Sequence, residues 1–201
     1  MSQIFKLLKV VIDQDFFTFN ESTYRQDTGL AMGSPLSPFL ADLFLNQIER
    51  DIISKLPHFK QVSGWFRYVD DILVIFSGSE QDIETFHQSL NSIRPSLKFT
   101  IEHEVNSALP FLDLNIMRVW DRLSFSIYRK PTTTDHIIPA HSAHPYEHKI
   151  SSFYSLFYRL FNIPMCESSF NEELGVIKTI AQNNGYTQEE IRNIFNKINM
   201  E

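Results

Sequence analysis

Cysteine is nearly absent from the sequence: Cys166 is the single cysteine among 201 residues. An internal disulfide is therefore excluded, and the composition is typical of a reducing compartment. No apolar run reaches the roughly 20 residues that a membrane-spanning helix needs. The N-terminus also lacks a basic segment followed by a long apolar stretch, so no signal peptide is predicted. We expect a protein of the nucleus or the cytoplasm with no membrane partner.

Positive charge is also scarce. The formal net charge is -6 at pH 7, whereas nucleic-acid-binding domains are usually basic. This balance counts against nucleic-acid binding without excluding it, because a small basic groove can lie on an acidic protein. Apolar residues are plentiful: they make up 43% of the chain, and phenylalanine alone occurs 18 times. We expect a core filled by aromatic rings, in one domain of ordinary size or one domain with a small appendage.

Apolar spacing predicts an α+β fold that changes character near residue 131. Helical periodicity predicts helices at 4–12, 38–56, 80–93, 146–162, 169–184 and 187–199. Runs of β-branched and aromatic residues predict strands at 16–19, 23–26, 64–67, 72–76, 97–103, 110–118 and 123–129. The histidine-rich stretch after Pro131 predicts a loop. The chain is therefore expected to divide into an α+β part, residues 1–131, and an all-helical part, residues 132–201.

Local signals place several helix ends. Ser37 is expected to cap the helix at 38–56, with Pro38 in the first helical position. Gly185 fits a helix C-terminus. Two pairs have the spacing of a capping box: Ser169 with Glu172, and Thr187 with Glu190. The buried side of the helix at 38–56 is expected to carry Leu40, Leu43, Phe44 and Ile48.

Two adjacent carboxylates, Asp70 and Asp71, lie between two predicted strands, at the tip of a hairpin. They repel each other, and nothing in the fold of a hairpin requires both. A divalent metal ion accounts for the pair, since hard cations gather several carboxylate oxygens at one point. The alternative is a charged, solvated hairpin tip. We expect backbone strain at Val69 in the turn, because β-branched residues disfavour positive φ.

A glycine loop precedes this hairpin. Residues 29–38 read GLAMGSPLSP, and Gly33, Ser34 and Pro35 allow the backbone to approach a base pair or a sugar closely; the alternative is an ordinary capped helix start. Followed by RYVDD at 67–71, this loop resembles the glycine-loop and Tyr-x-Asp-Asp motifs of a reverse transcriptase palm, in the order and spacing of that superfamily. The sequence MGSPLSP is most similar to Penelope-like retroelements.

Later stretches extend the resemblance over nearly the whole chain. LPFLDL at 109–114 and YRKPT at 128–132 resemble the strands beyond the palm in that group, and residues 144–149 and 183–186 resemble its helical C-terminal part. The resemblance implies a partial polymerase palm, in which an antiparallel sheet packs against helices, followed by a thumb-like helical part.

The resemblance also implies a reaction and its participants. The chain would belong to an RNA-directed DNA polymerase that uses dNTPs, an RNA or DNA template, a DNA primer, and Mg²⁺ or Mn²⁺. Two such cations about 3.5–4 Å apart promote this kind of transfer. Asp70 would be the principal metal ligand with Asp71 beside it, and Tyr68 would pack near the primer end. Gly33, Ser34 and Pro35 would border the templating base or the incoming nucleotide.

Two parts of the family pattern are missing. Family members carry a third metal carboxylate on an earlier strand and a basic fingers region, and this sequence begins too late to contain them. Asp13 and Asp15 are the candidates for the third ligand, but the apolar residues before them fit a helix better, and the spacing to Gly33 is short for the family. A helix end is the favoured interpretation. We expect a fragment that is inactive on its own.

Other residues have both a functional and a structural interpretation. Arg129, Lys130 and Lys149, together with Arg159, can contact a nucleic-acid backbone; solvated charges beside a core are the alternative. Zinc binding is a further hypothesis for a histidine cluster, against which a polar loop is favoured; the cluster comprises His141, His144 and His148.

The last two predicted helices also allow two interpretations. They can form a helix-turn-helix through Gly185 and Tyr186. Their facing apolar stripes are more simply explained by a packed helical hairpin, and Glu189 and Glu190 disfavour entry into DNA. Two functions therefore stand side by side: a reverse transcriptase domain, or a retroelement remnant that binds nucleic acid or protein without polymerising.

Overall fold

Six α-helices and three antiparallel sheets follow one another in residues 3–14 and 16–199, the part of the chain that the computed structural model describes. The α+β class is confirmed, with the helices that end the chain following the sheets. The chain divides into two compact units, Met1–Ile101 and Glu102–Glu201. The boundary near residue 131, drawn between a palm and a thumb, stays a prediction. None of the described helices combines the length and the apolarity needed to cross a bilayer.

Within residues 3–14 and 16–101, the first unit contains four strands and three α-helices. Its elements are α1 (Gln3–Asp13), β1 (Phe16–Phe19), β2 (Ser22–Arg25), α2 (Ser37–Asp51), two 3-10 helices (Ile53–Lys55 and Phe59–Gln61), β3 (Val62–Tyr68), β4 (Asp71–Phe76) and α3 (Glu80–Asn91). β1 pairs with β2 and β3 pairs with β4, both antiparallel.

Aromatic rings fill the core of the first unit, as the phenylalanine content predicts. Ile48, Ile53, Phe86 and Leu90 are buried. The ring of Phe86 contacts three other rings, with centroid distances of 5.8–6.5 Å. Ser79 caps α3 in a capping box with Asp82, which fixes where this helix begins.

The ends of α2 differ from the prediction. Ser37 is the first residue of the helix and not its cap; Leu36 precedes it without a side-chain cap hydrogen bond. The Ser37 hydroxyl instead donates to the carbonyl of Ala31 (2.6 Å), so it closes the glycine loop. The helix ends at Asp51 and not near residue 56, because the chain tightens into the 3-10 helix Ile53–Lys55.

The buried side of α2 is also narrower than predicted. Ile48 is buried and Leu40 is partly buried, but Leu43 and Phe44 are exposed. The prediction counted only apolar positions. A polar stripe on the same helix, Asp42, Asn46 and Glu49, contacts β3, so the helix is oriented by polar contacts as well as by apolar burial.

Residues 97–103 do not form the predicted strand. The side chain of Asn91 takes the place of a strand partner: its Oδ1 accepts from the backbone N–H of Phe99 (2.7 Å), and its Nδ2 donates to the Phe99 carbonyl (3.1 Å). Leu97 and Phe99 pack against the core of the first unit. Alternating apolar residues therefore bury one side of an extended segment here without a strand ladder.

The second unit contains a three-stranded meander and three helices. Its elements are β5 (Ala108–Phe111), β6 (Leu114–Val119), β7 (Arg122–Ile127), α4 (Tyr146–Asn162), α5 (Glu167–Asn183) and α6 (Gln188–Asn199). The single strand predicted at 110–118 is a hairpin, because the chain turns at Leu112, whose φ is +54°. The three helices enclose one core, in which Phe153, Phe157, Leu160 and Ile177 are fully buried.

One predicted capping box is confirmed and the other is wrong. Thr187 and Glu190 bond reciprocally at the start of α6. Ser169 lies inside α5, which begins at Glu167, so the Ser169–Glu172 spacing marks no helix start. Gly185 follows α5 with a φ of +80°, as its predicted role at a helix C-terminus requires.

The loop between β7 and α4 is bonded to the end of α5. The buried Asn184 donates to the carbonyl of Asp135 (2.7 Å), and its backbone carbonyl accepts from Ala140 (2.9 Å). The Tyr186 hydroxyl lies 2.6 Å from the carbonyl of Ile138. Burial raises the pKa of Tyr186. The segment from Asn183 to Tyr186 thus orders a loop that has little regular structure of its own.

Candidate functional site

The two aspartates lie where the sequence predicts, at the tip of the β3–β4 hairpin. Tyr68 pairs with Asp71, so the turn consists of Val69 and Asp70. Val69 has a φ of +56°, and a positive φ at the first turn residue is the pattern of a type II′ hairpin turn. Such a conformation costs about 1–3 kcal/mol at a non-glycine residue. The predicted backbone strain is confirmed.

The tip projects into solvent. Tyr68 is 62% exposed and Val69 is 65% exposed; Asp70 and Asp71 are exposed as well. Asp70 lies in the turn and Asp71 is the first residue of β4, so the two exposed carboxylates are neighbours along the chain at the hairpin tip. They supply hard oxygen donors of the kind that Mg²⁺ and Mn²⁺ prefer.

Helix α2 is bonded to β3 through polar side chains. The Nε of Arg67 donates to Glu49 (2.6 Å), and its Nη2 donates to Asp42 (2.9 Å) and to Asn46 (3.1 Å). Trp65 Nε1 donates to the same Glu49 oxygen (3.0 Å). The hydrogen bond to Glu49 raises the pKa of Arg67. Since α2 follows the glycine loop directly, these bonds join the hairpin to the element that carries the loop.

The glycine loop leaves open space around Gly33. Gly33 has a φ of +93°, and a Cβ added there would have no atom within 4 Å. A larger residue at this position would therefore be disfavoured by the backbone conformation and not by a lack of space. The Ser34 N–H donates to the carbonyl of Ala31 (3.4 Å), and the Ser37 N–H donates to the carbonyl of Ser34 (3.1 Å). Ser34 is partly buried, whereas Gly33 and Pro35 are exposed.

The two aspartates have no third ligand in the described residues. Within 3–14 and 16–199, no three His, Cys, Asp or Glu side chains gather closely enough to hold a metal ion. Asp13 ends α1, as its helix-end interpretation predicts, and Asp15 lies outside the described residues. The zinc hypothesis for His141, His144 and His148 finds no metal-binding group there either.

The four predicted backbone-contact residues all lie in the second unit, where three of them, Arg159 included, have internal partners. Arg129 makes a two-pronged ion pair with the buried Glu173 on α5, and the hydrogen bond to Glu173 raises the pKa of Arg129. The ammonium of Lys149 donates to the carbonyl of Ala140 (3.0 Å). Lys130 is exposed.

A cavity of about 440 Å³ lies in the second unit beside Arg129 and Lys130. Arg159 also lines it, and the buried Nε of Arg159 has no hydrogen-bond partner in the part of the chain that the structure describes. Asp113 and Asp135 line the same cavity. Because these carboxylates, with Glu173, offset the three cations, the cavity does not concentrate positive charge.

Cys166 is a chemically distinctive residue that sequence reasoning missed. Hydrogen bonds, first from Ser168 and then from Ser169, lower the pKa of this exposed thiol to about 6. Cys166 occupies the N-cap position of α5, where the helix dipole also favours an anion. The sequence signal was present: a cysteine followed within three residues by two serines, next to a predicted helix start.

Comparison with protein families gives two matches. Residues 2–104, just over half of the chain, match the family described as Reverse transcriptase (RNA-dependent DNA polymerase). Residues 136–196 match the Animal helix-turn-helix domain. Comparisons with curated proteins and with solved structures gave no match.

The first match contains the glycine loop, α2 and the aspartate hairpin, and it supports a reverse transcriptase-type polymerase at the level of the family. The chain belongs to the reverse transcriptase family. A polymerase of this family binds a nucleic-acid template. The second match supports the helix-turn-helix interpretation of the C-terminal helices at the level of the domain family.

Proposed function

We propose that this chain carries the nucleotidyl-transfer site of a Penelope-like reverse transcriptase. The site would extend a DNA primer with dNTPs on an RNA or DNA template. The observation that carries the proposal is the pair of exposed aspartates, Asp70 and Asp71, on a hairpin tip within the family-matched region. The Penelope-like type is supported by the sequence MGSPLSP at residues 32–38.

Asp70 and Asp71 would hold the metal ion. Mg²⁺ is commonly bound by one or two carboxylates, with water and substrate phosphates completing the shell, and the two exposed aspartates fit this donor set. When bound, the ions activate the primer 3′-hydroxyl and neutralise the charge that develops on the triphosphate. Two carboxylates are fewer than the family pattern requires, so weak binding is expected without further ligands.

The glycine loop would border the nucleotide. Gly33 leaves open space where a side chain would project, and exposed Pro35 beside partly buried Ser34 would form a flat surface for a base or a sugar. Tyr68, which is 62% exposed, has its ring free to pack near the primer end.

The second unit would contact the nucleic-acid backbone. Lys130 is the best placed of the four predicted cations, because it is exposed and lines the cavity. Arg129 and Lys149 would have to offer donors beyond those already bonded to Glu173 and to Ala140. Lys130 is therefore expected to contribute more to binding than Arg129 or Lys149.

A binding module without polymerase activity is the second candidate. The absence of a three-carboxylate group in the described residues favours it, as does the match of the C-terminal helices to a helix-turn-helix domain. The two candidates make opposite predictions for primer extension and the same prediction for nucleic-acid binding.

The experiment is primer extension by the 201-residue chain on an RNA template with Mg²⁺, in parallel with filter binding of the same duplex. Asp70→Asn removes the principal proposed ligand. Asp121→Asn is the matched control, because Asp121 occupies the equivalent turn position of the β6–β7 hairpin. Extension that is lost in Asp70→Asn and retained in Asp121→Asn supports the polymerase. Binding of the duplex with neither extension nor Asp70-dependent Mn²⁺ binding supports the binding module instead.

A further inference from the structure

One guanidinium holds the hairpin tip itself. Besides its bonds to α2, Arg67 donates from Nη1 to the carbonyl of Val69 (3.1 Å), the first residue of the turn. The Arg67 side chain is 9% exposed, although it lies next to a solvent-exposed tip. It therefore spans from the body of helix α2 to the peptide that precedes Asp70.

We propose that Arg67 is a positioning residue for the metal site, which fixes the turn carrying Asp70 and Asp71 in the orientation that metal binding needs. The proposal rests on the proposed function, because it concerns the same two aspartates. It adds a residue to the site that acts through the backbone and touches neither metal nor substrate.

The turn needs such support for two reasons. Val69 is β-branched and holds a φ of +56°, a conformation that persists only where the surrounding structure enforces it. The two neighbouring carboxylates repel each other when no cation lies between them. A hydrogen bond on the Val69 carbonyl restrains the peptide that both effects would displace.

An arginine is required because the contacts are divergent. Its planar fork directs Nε and Nη2 to the polar stripe Asp42, Asn46 and Glu49 while Nη1 reaches the turn. The ammonium of a lysine is a single compact donor group and cannot bridge these positions. Trp65 donates to Glu49 (3.0 Å) and so keeps the main acceptor in place.

The test uses the whole chain and Mn²⁺ alone as the probe. Arg67→Lys keeps the charge and removes the fork; Arg50→Lys is the control, at an exposed arginine on α2 that pairs with its neighbour Asp51. Mn²⁺ affinity is measured by electron paramagnetic resonance, and amide exchange of residues 68–71 by mass spectrometry or NMR. We expect Arg67→Lys to weaken Mn²⁺ binding by about 10–100-fold, the usual loss when a ligand-orienting group is removed, and to speed the exchange. Arg50→Lys should change neither.

A second variant separates positioning from general destabilisation. Val69→Gly relieves the strain, since glycine adopts positive φ freely and is the preferred first residue of a type II′ turn. In the Arg67→Lys background, Val69→Gly should recover part of the Mn²⁺ affinity. A residue that merely stabilises the fold would instead lose Mn²⁺ affinity only as far as urea unfolding of Arg67→Lys shows a loss of stability.

The outcomes distinguish this inference from the proposed function. If Mn²⁺ binds the unchanged chain and Asp70→Asn abolishes binding, equal affinity in Arg67→Lys overturns the role of Arg67. If the unchanged chain shows no Asp70-dependent Mn²⁺ binding, the proposed function fails. In that case amide exchange alone decides for Arg67, and equal exchange in Arg67→Lys and Arg50→Lys overturns its positioning role.

Discussion

Two hairpins of this chain have turns of the same length, with the same φ at the first turn residue, and they differ in the residues around the turn. In the first unit, Val69 and Asp70 connect β3 to β4; in the second, Trp120 and Asp121 connect β6 to β7. Val69 and Trp120 both have a φ of +56°, and an exposed aspartate follows each of them. The turn conformation by itself therefore does not make a functional site.

The difference lies in the next residue and in the anchor. Asp71 follows the first turn and doubles its negative charge, whereas Arg122 follows the second and lies 3.9 Å from Asp121. Arg67 donates to the tip of the first hairpin, whereas Arg118, at the equivalent position of the second hairpin, donates to Glu104. A hairpin tip that combines backbone strain, two negative charges and an anchoring hydrogen bond indicates function more strongly than the turn conformation alone.

The two units also use the donors of an arginine differently. Arg67 divides its donors among three side chains of α2 and the turn. Arg129 gives two donors to one carboxylate, Glu173, whose side chain is 5% exposed. The first arrangement positions a tip, and the second holds the residues after β7 against α5.

The largest effect is expected from replacing Glu173, which tests whether its ion pair with Arg129 holds the residues after β7 against α5. Glu173→Ala leaves Arg129 partly buried without its partner and should destabilise the chain by about 3–5 kcal/mol. Urea unfolding followed by circular dichroism measures the change. Glu172→Ala, at the exposed neighbouring position, should stay within about 0.5 kcal/mol of the unchanged chain. Equal stability of the two variants would contradict the assignment.

Exchanging the residue after each turn breaks the comparison directly. Asp71→Arg gives the first hairpin the Asp-Arg tip of the second. It should lower Mn²⁺ affinity by more than the roughly 10–100-fold expected for Arg67→Lys, because it removes a proposed metal ligand and not a residue that orients one. Arg122→Asp gives the second hairpin two aspartates without an anchor. Its new Mn²⁺ site should be weaker than the first one, as titration in an Asp70→Asn background would show. Equal affinity at the two tips would mean that the anchor is dispensable.

Elements with a strong apolar period could be predicted from the sequence. The bounds predicted for the helix at 146–162 agree with α4, and the hairpin around Asp70 was located correctly. The strand predicted at 97–103 failed because Asn91, a side chain outside the segment, bonds the backbone of Phe99. Period alone does not distinguish a paired strand from an extended segment bonded to a side chain.

The aspartate pair could be predicted, but its anchor could not. Arg67 finds its partners 18–25 residues away along the chain, and such pairing depends on how a helix packs against a strand. A signal did exist: Asp42, Asn46 and Glu49 fall at i, i+4 and i+7, which places them on one helix face. A polar stripe of this kind, on a helix that is expected to bury one side, indicates a polar partner.

Helix caps provide a smaller test of the two units. Ser79 begins α3 in the first unit and Thr187 begins α6 in the second, each within a capping box. Ser79→Ala and Thr187→Ala should each cost about 1 kcal/mol in urea unfolding. Ser169→Ala is the control for the wrong prediction, because Ser169 lies inside α5 and should change stability by less than about 0.5 kcal/mol. A loss at Ser169 equal to that at Thr187 would restore the discarded capping box.

Helix α5 begins without a side-chain cap hydrogen bond, and Cys166 is its cap residue. The smallest effect is expected on the rate at which the Cys166 thiol is alkylated, whereas the pH dependence of that rate should differ clearly from that of an ordinary thiol. The bonds from Ser168 and Ser169 favour the thiolate and lower the pKa of Cys166 to about 6. Its alkylation by iodoacetamide should therefore rise through pH 6 and level off above pH 7, whereas an ordinary thiol titrates near 8.5. The gain in rate at neutral pH stays small, since a less basic thiolate is also a weaker nucleophile.

Ser168→Ala removes the hydrogen bond that lowers the pKa of Cys166 most and should move the midpoint of the alkylation profile upward. Because the chain has one cysteine, mass spectrometry reports this site alone, and a midpoint near 8.5 in the unchanged chain would contradict the assignment.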